Sequence, residues 1–353
     1  MANTGKKPYL SIVVAGRNDN YGGDFNLRLQ RSSRGLSQLC KENSLPAELI
    51  VVNYNPVSGN ESLQSAISWP EPNPYFRLRI ITVPESIHQR FHKPEIRKPV
   101  PLYEYIAKNT GIRRAEGEFI LSANPDIIFH PRIIRFIASG KLQKDTYYRV
   151  DRCDFHGFDW KEEDGTSEIL NQIRKNIFRV FLRQYRYELD PGSWNMFSLL
   201  MLRIRNRLRI RRDIWIRQHE KLANRYGWDI IYDDITLYHH THCSGDFMLM
   251  HRDHWAALQS HPENTYLSLH TDSIFVIMVA SHGLKEHVFR WPVYHQDHGR
   301  RYDAAAESDN PDFRKMFRQL IDDGGIMKQN GRPIIYNEEE WGCRDDRLEE
   351  WEM

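Results

Sequence analysis

Residues 105–126 read YIAKNTGIRRAEGEFILSANPD, and their reading decides the fold. From Leu102 to Ala115 the apolar residues recur at helical spacing. Glu118 to Ser122 (EFILS) is then a short apolar run of strand length. It ends in Asn124-Pro125-Asp126, residue types that stop a strand and turn the chain. A helix feeding a buried strand with a polar end is half of a βαβ unit.

Upstream the same rhythm recurs. Tyr9–Ala15 (YLSIVVA) reads as a buried parallel strand, followed by the polar loop Gly16–Asp24. Phe25–Lys41 reads as a helix with Leu27, Leu36 and Leu39 on its apolar face. Glu48–Asn53 and Leu78–Val83 supply two further strands. Strands alternating with helices over about 120 residues predict an α/β fold with a doubly wound, mainly parallel sheet. In such sheets ligands bind beyond the carboxyl ends of the strands, which puts the Gly16–Asp24 loop at the expected ligand edge.

The composition narrows the function classes. Of 353 residues 40% are hydrophobic and 27% charged, which is ordinary for a globular protein. A net charge of +2 points away from nucleic acid. Cys40, Cys153, Cys243 and Cys343 are scattered, which predicts free thiols in a reducing compartment. The polar Met1–Lys7 stretch lacks a signal-peptide core, and no run approaches the roughly 18 apolar residues of a membrane span. A cytoplasmic protein is the expectation.

The middle of the chain differs. Residues 151–242 show no βα rhythm, and within them 171–220 carry 12 Lys/Arg against 4 Asp/Glu. Leu202–Arg211 (LRIRNRLRIR) alternates apolar and basic residues, a period of two that predicts a strand with one basic face. The basic segment keeps open peripheral contact with anionic lipid, a lipid-phosphate acceptor or an acidic glycan, its plain alternative being a solvated face. From Gly245 the rhythm resumes, with Phe247–Met250 as a strand, Ile274–Ser281 as a helix and Val288–Val293 as a final strand. The expected divisions are 1–137 (donor half), 138–242 (an acceptor-shaping insertion) and 243–353 (acceptor half and tail), within one domain overall.

Ala107, Lys108, Asn109, Gly111, Ile112, Ala115 and Gly117 match an A-R-N-x-G-I-x-x-A-x-G helix, with Lys108 in place of Arg, and Asn124-Pro125-Asp126 stands where a D-x-D motif follows. In this the chain resembles the family-2-like glycosyltransferases of the GT-A fold, over residues 9–136 and 243–299. The resemblance implies a nucleotide-sugar donor, a glycan or lipid-linked acceptor, and a divalent metal, Mn2+ or Mg2+. Asp126 is then the metal-ligand candidate. A cation that neutralises a diphosphate prefers oxygen ligands, and the end of a buried strand holds one rigidly. Asn124 departs from the family's first Asp and brings no charge; a turn after a strand is its bland alternative. Lys108, Asn109 and Asn124 join Ala15, Arg17, Asp19 and Asn53 on the donor side.

Gly245–Asp272 resembles the family's acceptor-side segment, with Gly245, Asp246 and Thr271 at acceptor positions and Thr271-Asp272 where Glu-Asp is usual. In inverting members the second residue of that pair is the general base, which takes a proton from the attacking hydroxyl. This makes Asp272 the catalytic candidate; its ordinary alternative is a helix N-cap. A late His often completes the metal site, and His295 and His298 are both candidates, followed by Arg300 and Arg301 for the diphosphate. Tyr238–Cys243 (YHHTHC) could hold zinc, but no distant second pair accompanies it, and lining the acceptor cleft suits it better. The tail 337–342 (NEEEWG) resembles an ending of some relatives and predicts that Trp341 packs on the domain. Two rivals stay open: a nucleotidyltransferase-like enzyme, which needs a second carboxylate near Asp126, and a catalytically weak sugar-binding relative.

Overall fold

A computed structural model describes residues 7–92, 100–160, 165–183, 185–190, 192–219, 221–222, 225, 239–263, 271–299 and 311–353. In it β1 (Leu10–Gly16), α1 (Phe25–Glu42), β2 (Ala47–Tyr54), α2 (Leu63–Ala66), β3 (Phe76–Val83) and α3 (Glu85–Phe91) follow one another. Then come α4 (Glu104–Arg114), β4 (Phe119–Ala123), β5 (Ile127–Ile128), α5 (Pro131–Ala138), β6 (Thr146–Arg149) and β7 (Arg152–Phe155). The second half holds α6 (Thr166–Lys175), β8 (Ile177–Leu182), β9 (Tyr185–Glu188), α7 (Met196–Gln218), β10 (Phe247–His251) and α8 (Arg252–Ala257). It closes with α9 (Thr271–Ser281), β11 (Lys285–Val288), β12 (Val293–Gln296), α10 (Pro311–Asn330) and β13 (Glu349–Glu352).

The central sheet has eight strands in the order β11-β6-β10-β4-β1-β2-β3-β13. Strands β4, β1, β2 and β3 run parallel, while β10 and β13 are antiparallel to their neighbours, so the sheet is mixed. Alternation along the strands divides the core in two. Leu10, Ile12 and Val14 face the side covered by α1 and α5; Val13 and Ala15 face α4 and α9. Burial on both faces is why these strands are continuously apolar.

Two glycines of the helix motif are explained by this packing. A Cβ on Gly111 would stand 2.5 Å from Val13 and 2.9 Å from Val52; one on Gly117 would stand 2.6 Å from the Ser11 backbone nitrogen. Both are glycine because the segment runs close against the sheet.

The structure differs from the sequence expectations in four places. Leu202–Arg211 is not a strand but the centre of the 23-residue helix α7. Asn195 and Ser198 close a capping box at its start, and its Leu, Met and Arg content favours helix. Val288–Val293 is not one strand: the chain leaves the central sheet after β11, passes Pro292, which cannot donate to a ladder, and enters the second sheet as β12. Leu27 is exposed and Leu29 takes its place in the core. Residues 138–242 contain β6, a member of the central sheet, and also β7 to β9 of a second, five-stranded sheet ordered β5-β12-β7-β8-β9. Among the described residues no helix is long and apolar enough to cross a membrane.

Candidate metal and sugar-nucleotide site

Register fixes what meets at the carboxyl edge. Gly16 pairs with Asn53 across β1 and β2, β4 ends beside them at Ala123, and the antiparallel β10 begins there, with Phe247 opposite Ala123. The loops leaving β1, β2 and β4, and the segment entering β10, therefore share one edge. The second sheet starts at that point: β5 follows Asp126 directly, and His295 on β12 is in register with Ile127 on one side and Asp154 of β7 on the other.

This brings Asp126, His295 and His298 together, with ligand-type atoms all within 4.8 Å of one another. His298 Nε2 is 3.1 Å from Asp126 Oδ2, and His295 Nε2 is 3.6 Å from it. Arg28 Nε, from α1, lies 3.7 Å from the same oxygen. Burial alone would raise the Asp126 pKa, but the two histidines and Arg28 outweigh it and hold the carboxylate well below its usual range. His295 is likewise penalised by burial yet raised on balance, chiefly by Asp126. Its Nδ1 approaches Asp154 Oδ1 at 3.4 Å without an aligned hydrogen bond.

The donor set suits a divalent ion. Asp126 Oδ1 is buried without a hydrogen-bond partner, a condition that costs free energy unless something meets it. One carboxylate and two imidazoles fit manganese-like chemistry. The β1 loop closes over the cluster: Gly22, at φ +75°, brings its backbone so near that a Cβ would stand 3.1 Å from His298, and the Tyr21 ring meets the His298 ring edge-on at 5.3 Å.

The rest of the edge is one polar network. Lys108 Nζ, fully buried, donates to Glu104 Oε1 (2.8 Å), Asn124 Oδ1 (2.6 Å) and the Gly245 carbonyl (2.8 Å). Asn124 Nδ2 donates to Asp246 Oδ1 (2.7 Å), and Arg152 donates to Asp246 Oδ2 (2.7 Å). Arg152 also pairs with Asp154 at 2.8 Å. Asp272 Oδ2 accepts from the Gly245 nitrogen and Oδ1 from the Ser273 nitrogen, both at 2.9 Å. The hydroxyl of Tyr105 and the carboxylate of Asp272 both flank the hydrogen face of Gly245. Thr271, the first residue of α9, is buried.

Not every expected site residue is placed to meet a ligand. Asn109 is completely buried and faces away from the edge: its nitrogen donates to the His261 carbonyl and Glu263, and its oxygen accepts from Ser260 and the His261 nitrogen. Its amide ties the 260–263 turn to α4 at both its nitrogen and its oxygen. Asn124 is committed at both ends inside the protein. Arg17 donates to the Asn55 carbonyl (2.6 Å) and pairs with Asp19 (3.3 Å), which shapes the loop after β1. Ala15 is in register with Val52, and Asn53 has a buried Oδ1 without a partner at the same edge. Arg300 and Arg301 lie outside the described residues. The described part of the 238–243 run, His239 to Cys243, forms no metal-type group: His240 Nε2 pairs with Asp151 at 3.1 Å.

Sequence reasoning missed Arg28, Glu104, Arg152 and Asp154. Arg28 has a local signal, Asp24 four residues earlier, with which it pairs. Arg152 and Asp154 sit in a stretch without visible rhythm because β7 is a short strand of the second sheet.

No family model matches the chain, and no curated protein matches it. Among solved structures it is similar to the crystal structure of S. aureus TarS 1-349, at 11% identity and a TM-score of 0.42, over 94% of this chain and 68% of that one.

Proposed function

We propose that this chain is a glycosyltransferase of the GT-A type that moves a sugar from a nucleotide-sugar donor to a hydroxyl acceptor. The observation that carries the reading is the gathering of Asp126, His295 and His298 at the carboxyl edge of β4, beneath the loop leaving β1. A divalent ion held by these three residues would neutralise charge on a diphosphate leaving group.

The chain's own residues supply the remaining roles. Asn53, with its free buried oxygen, and the Arg17–Asp19 loop receive the nucleoside. Arg28 adds positive charge beside the diphosphate. Asp272 accepts the proton of the acceptor hydroxyl as that oxygen attacks the anomeric carbon and the bond to the diphosphate oxygen breaks, an inverting displacement. The two backbone N–H groups on Asp272 fix its orientation and leave lone pairs for that proton. Lys108, Asn124, Asp246 and Arg152 hold the floor between Asp126 and Asp272.

The test is a thermal-shift panel of UDP, GDP, CDP and dTDP compounds, each with and without manganese. Binding to the folded state raises the melting temperature by mass action. A metal-dependent shift with one nucleotide, absent in Asp126→Ala, supports the reading and identifies the donor base. No shift with any nucleotide overturns it. A wild type that binds donor but shows no metal-dependent donor hydrolysis would instead be a sugar-nucleotide-binding relative.

A further inference from the structure

We propose that α7 is a membrane-surface helix whose outer face binds an anionic lipid bilayer. The inference is independent of the catalytic reading above. Phe197, Leu200, Met201, Ile204, Leu208 and Trp215 are all exposed, Phe197 at 71% and Leu208 at 61%. At 100° per residue these six fall within an arc of roughly 100°, one continuous stripe about 27 Å long. The opposite face is the anchored one. Leu199 and Ile210 are buried in the core of the second sheet, Asn206 bonds the Tyr187 hydroxyl at 3.1 Å, and Arg203 pairs with Asp151 at 2.8 Å. The stripe thus points away from the body of the protein on a helix that cannot roll to hide it.

The occupant follows from charge. Helix α7 carries seven Arg and one Asp. Arg205 and Arg212 flank the stripe on one side and Arg207 on the other, Arg211 falls within its edge between the Leu200 and Ile204 directions, and all four are exposed. The single acid, Asp213, is turned inward to the Tyr185 hydroxyl and Arg212. An apolar stripe bordered by arginines matches the acyl–headgroup boundary of a negatively charged leaflet, where the charges meet lipid phosphates. Aromatic residues near both ends of the stripe suit the same interface. A nucleic acid would satisfy the arginines but not the stripe. A second copy paired through this face would set arginine rows against each other.

The 353-residue chain is floated with vesicles of phosphatidylcholine alone or with about a third phosphatidylglycerol. The expected result is binding to the anionic vesicles, weakened by salt, and little binding to the neutral ones. Phe197→Ser/Leu200→Ser/Leu208→Ser and, separately, Arg205→Gln/Arg207→Gln/Arg211→Gln should each weaken it on the order of tenfold, with unchanged thermal melting because every site is exposed. Wild-type protein that fails to float, or a serine variant that floats as well as wild type, overturns the proposal. So does a sedimentation-velocity dimer that the serine variant turns into monomer, which would assign the stripe to a second copy.

Discussion

Lys108 Nζ lies 2.6 Å from Asn124 Oδ1, and that contact sets which way the amide faces. With its oxygen on the ammonium, the Asn124 nitrogen reaches Asp246 Oδ1 at 2.7 Å. Both ends of the side chain are consumed within the protein. Of the two polar residues in the N-P-D turn, it is Asp126 that meets the histidines.

Placing an acid at position 124 should therefore fail to strengthen the proposed metal site. Asn124→Asp sets a carboxylate against Asp246, and two carboxylates that close cannot both ionise freely. The expected outcome is a manganese affinity within about threefold of wild type by titration calorimetry, together with a lower melting temperature. An affinity gain of about tenfold or more would show that residue 124 faces the ion.

Two glycine-to-alanine changes should act in opposite directions. Gly111→Ala forces a methyl into Val13 and Val52, and overpacking of this kind costs about 1–3 kcal/mol. Gly35→Ala, inside α1 with nothing near its Cβ, should gain about 0.5–1 kcal/mol. Urea unfolding midpoints of the two variants give the comparison, and equal signs would contradict the packing described for α4.

The parallel half of the sheet was legible because strands buried on both faces must be apolar throughout, and α4 and β4 follow each other with a motif between them. The grouping of Asp126, His295 and His298 was expected only through the family resemblance, which puts an acid after β4 and a His after the last strand. What stayed hidden depended on partners distant in sequence. Asn109 reads as a donor residue until Ser260, His261 and Glu263 are placed around it. Helix α7 was misread because Arg at every second position imitates a strand over ten residues, while the helical stripe needs the whole stretch from Phe197 to Trp215 to appear.

His130 gives a pH dependence. It caps α5, with Nδ1 accepting from the Arg132 nitrogen at 3.1 Å, so it must be neutral. Burial, with Arg174 and Arg132 nearby, lowers its pKa to about 4. The unfolded imidazole titrates near 6.5. Between these values the unfolded chain binds more protons, so this group's stabilising effect is full above about 6.5 and is lost as pH falls toward 4. The loss should be about 3 kcal/mol. His130→Asn keeps a capping acceptor without the titration. Its stability should fall less than wild type across that window, measured by urea unfolding at a series of pH values; parallel profiles would refute the assignment.

Asn109 separates a structural from a ligand-binding role. Its amide ties the 259–263 turn to α4, and the C-terminal segment closes on the same turn. Asn337 accepts from the Glu263 nitrogen (2.8 Å) and donates to the Gln259 and His261 carbonyls (2.6 and 2.7 Å), while Glu263 Oε1 accepts from the Gly342 nitrogen (2.8 Å). Burial raises the Glu263 pKa despite Asn109 and Gly342, so the turn depends on keeping these donors. Asn109→Ala leaves several buried groups unpartnered and should cost about 2–4 kcal/mol. Because the amide does not reach the carboxyl edge, nucleotide affinity measured well below the lowered melting temperature should stay within about twofold of wild type. A variant that folds with near-native stability but loses nucleotide binding would return Asn109 to the donor site and with it the simpler reading of the helix motif.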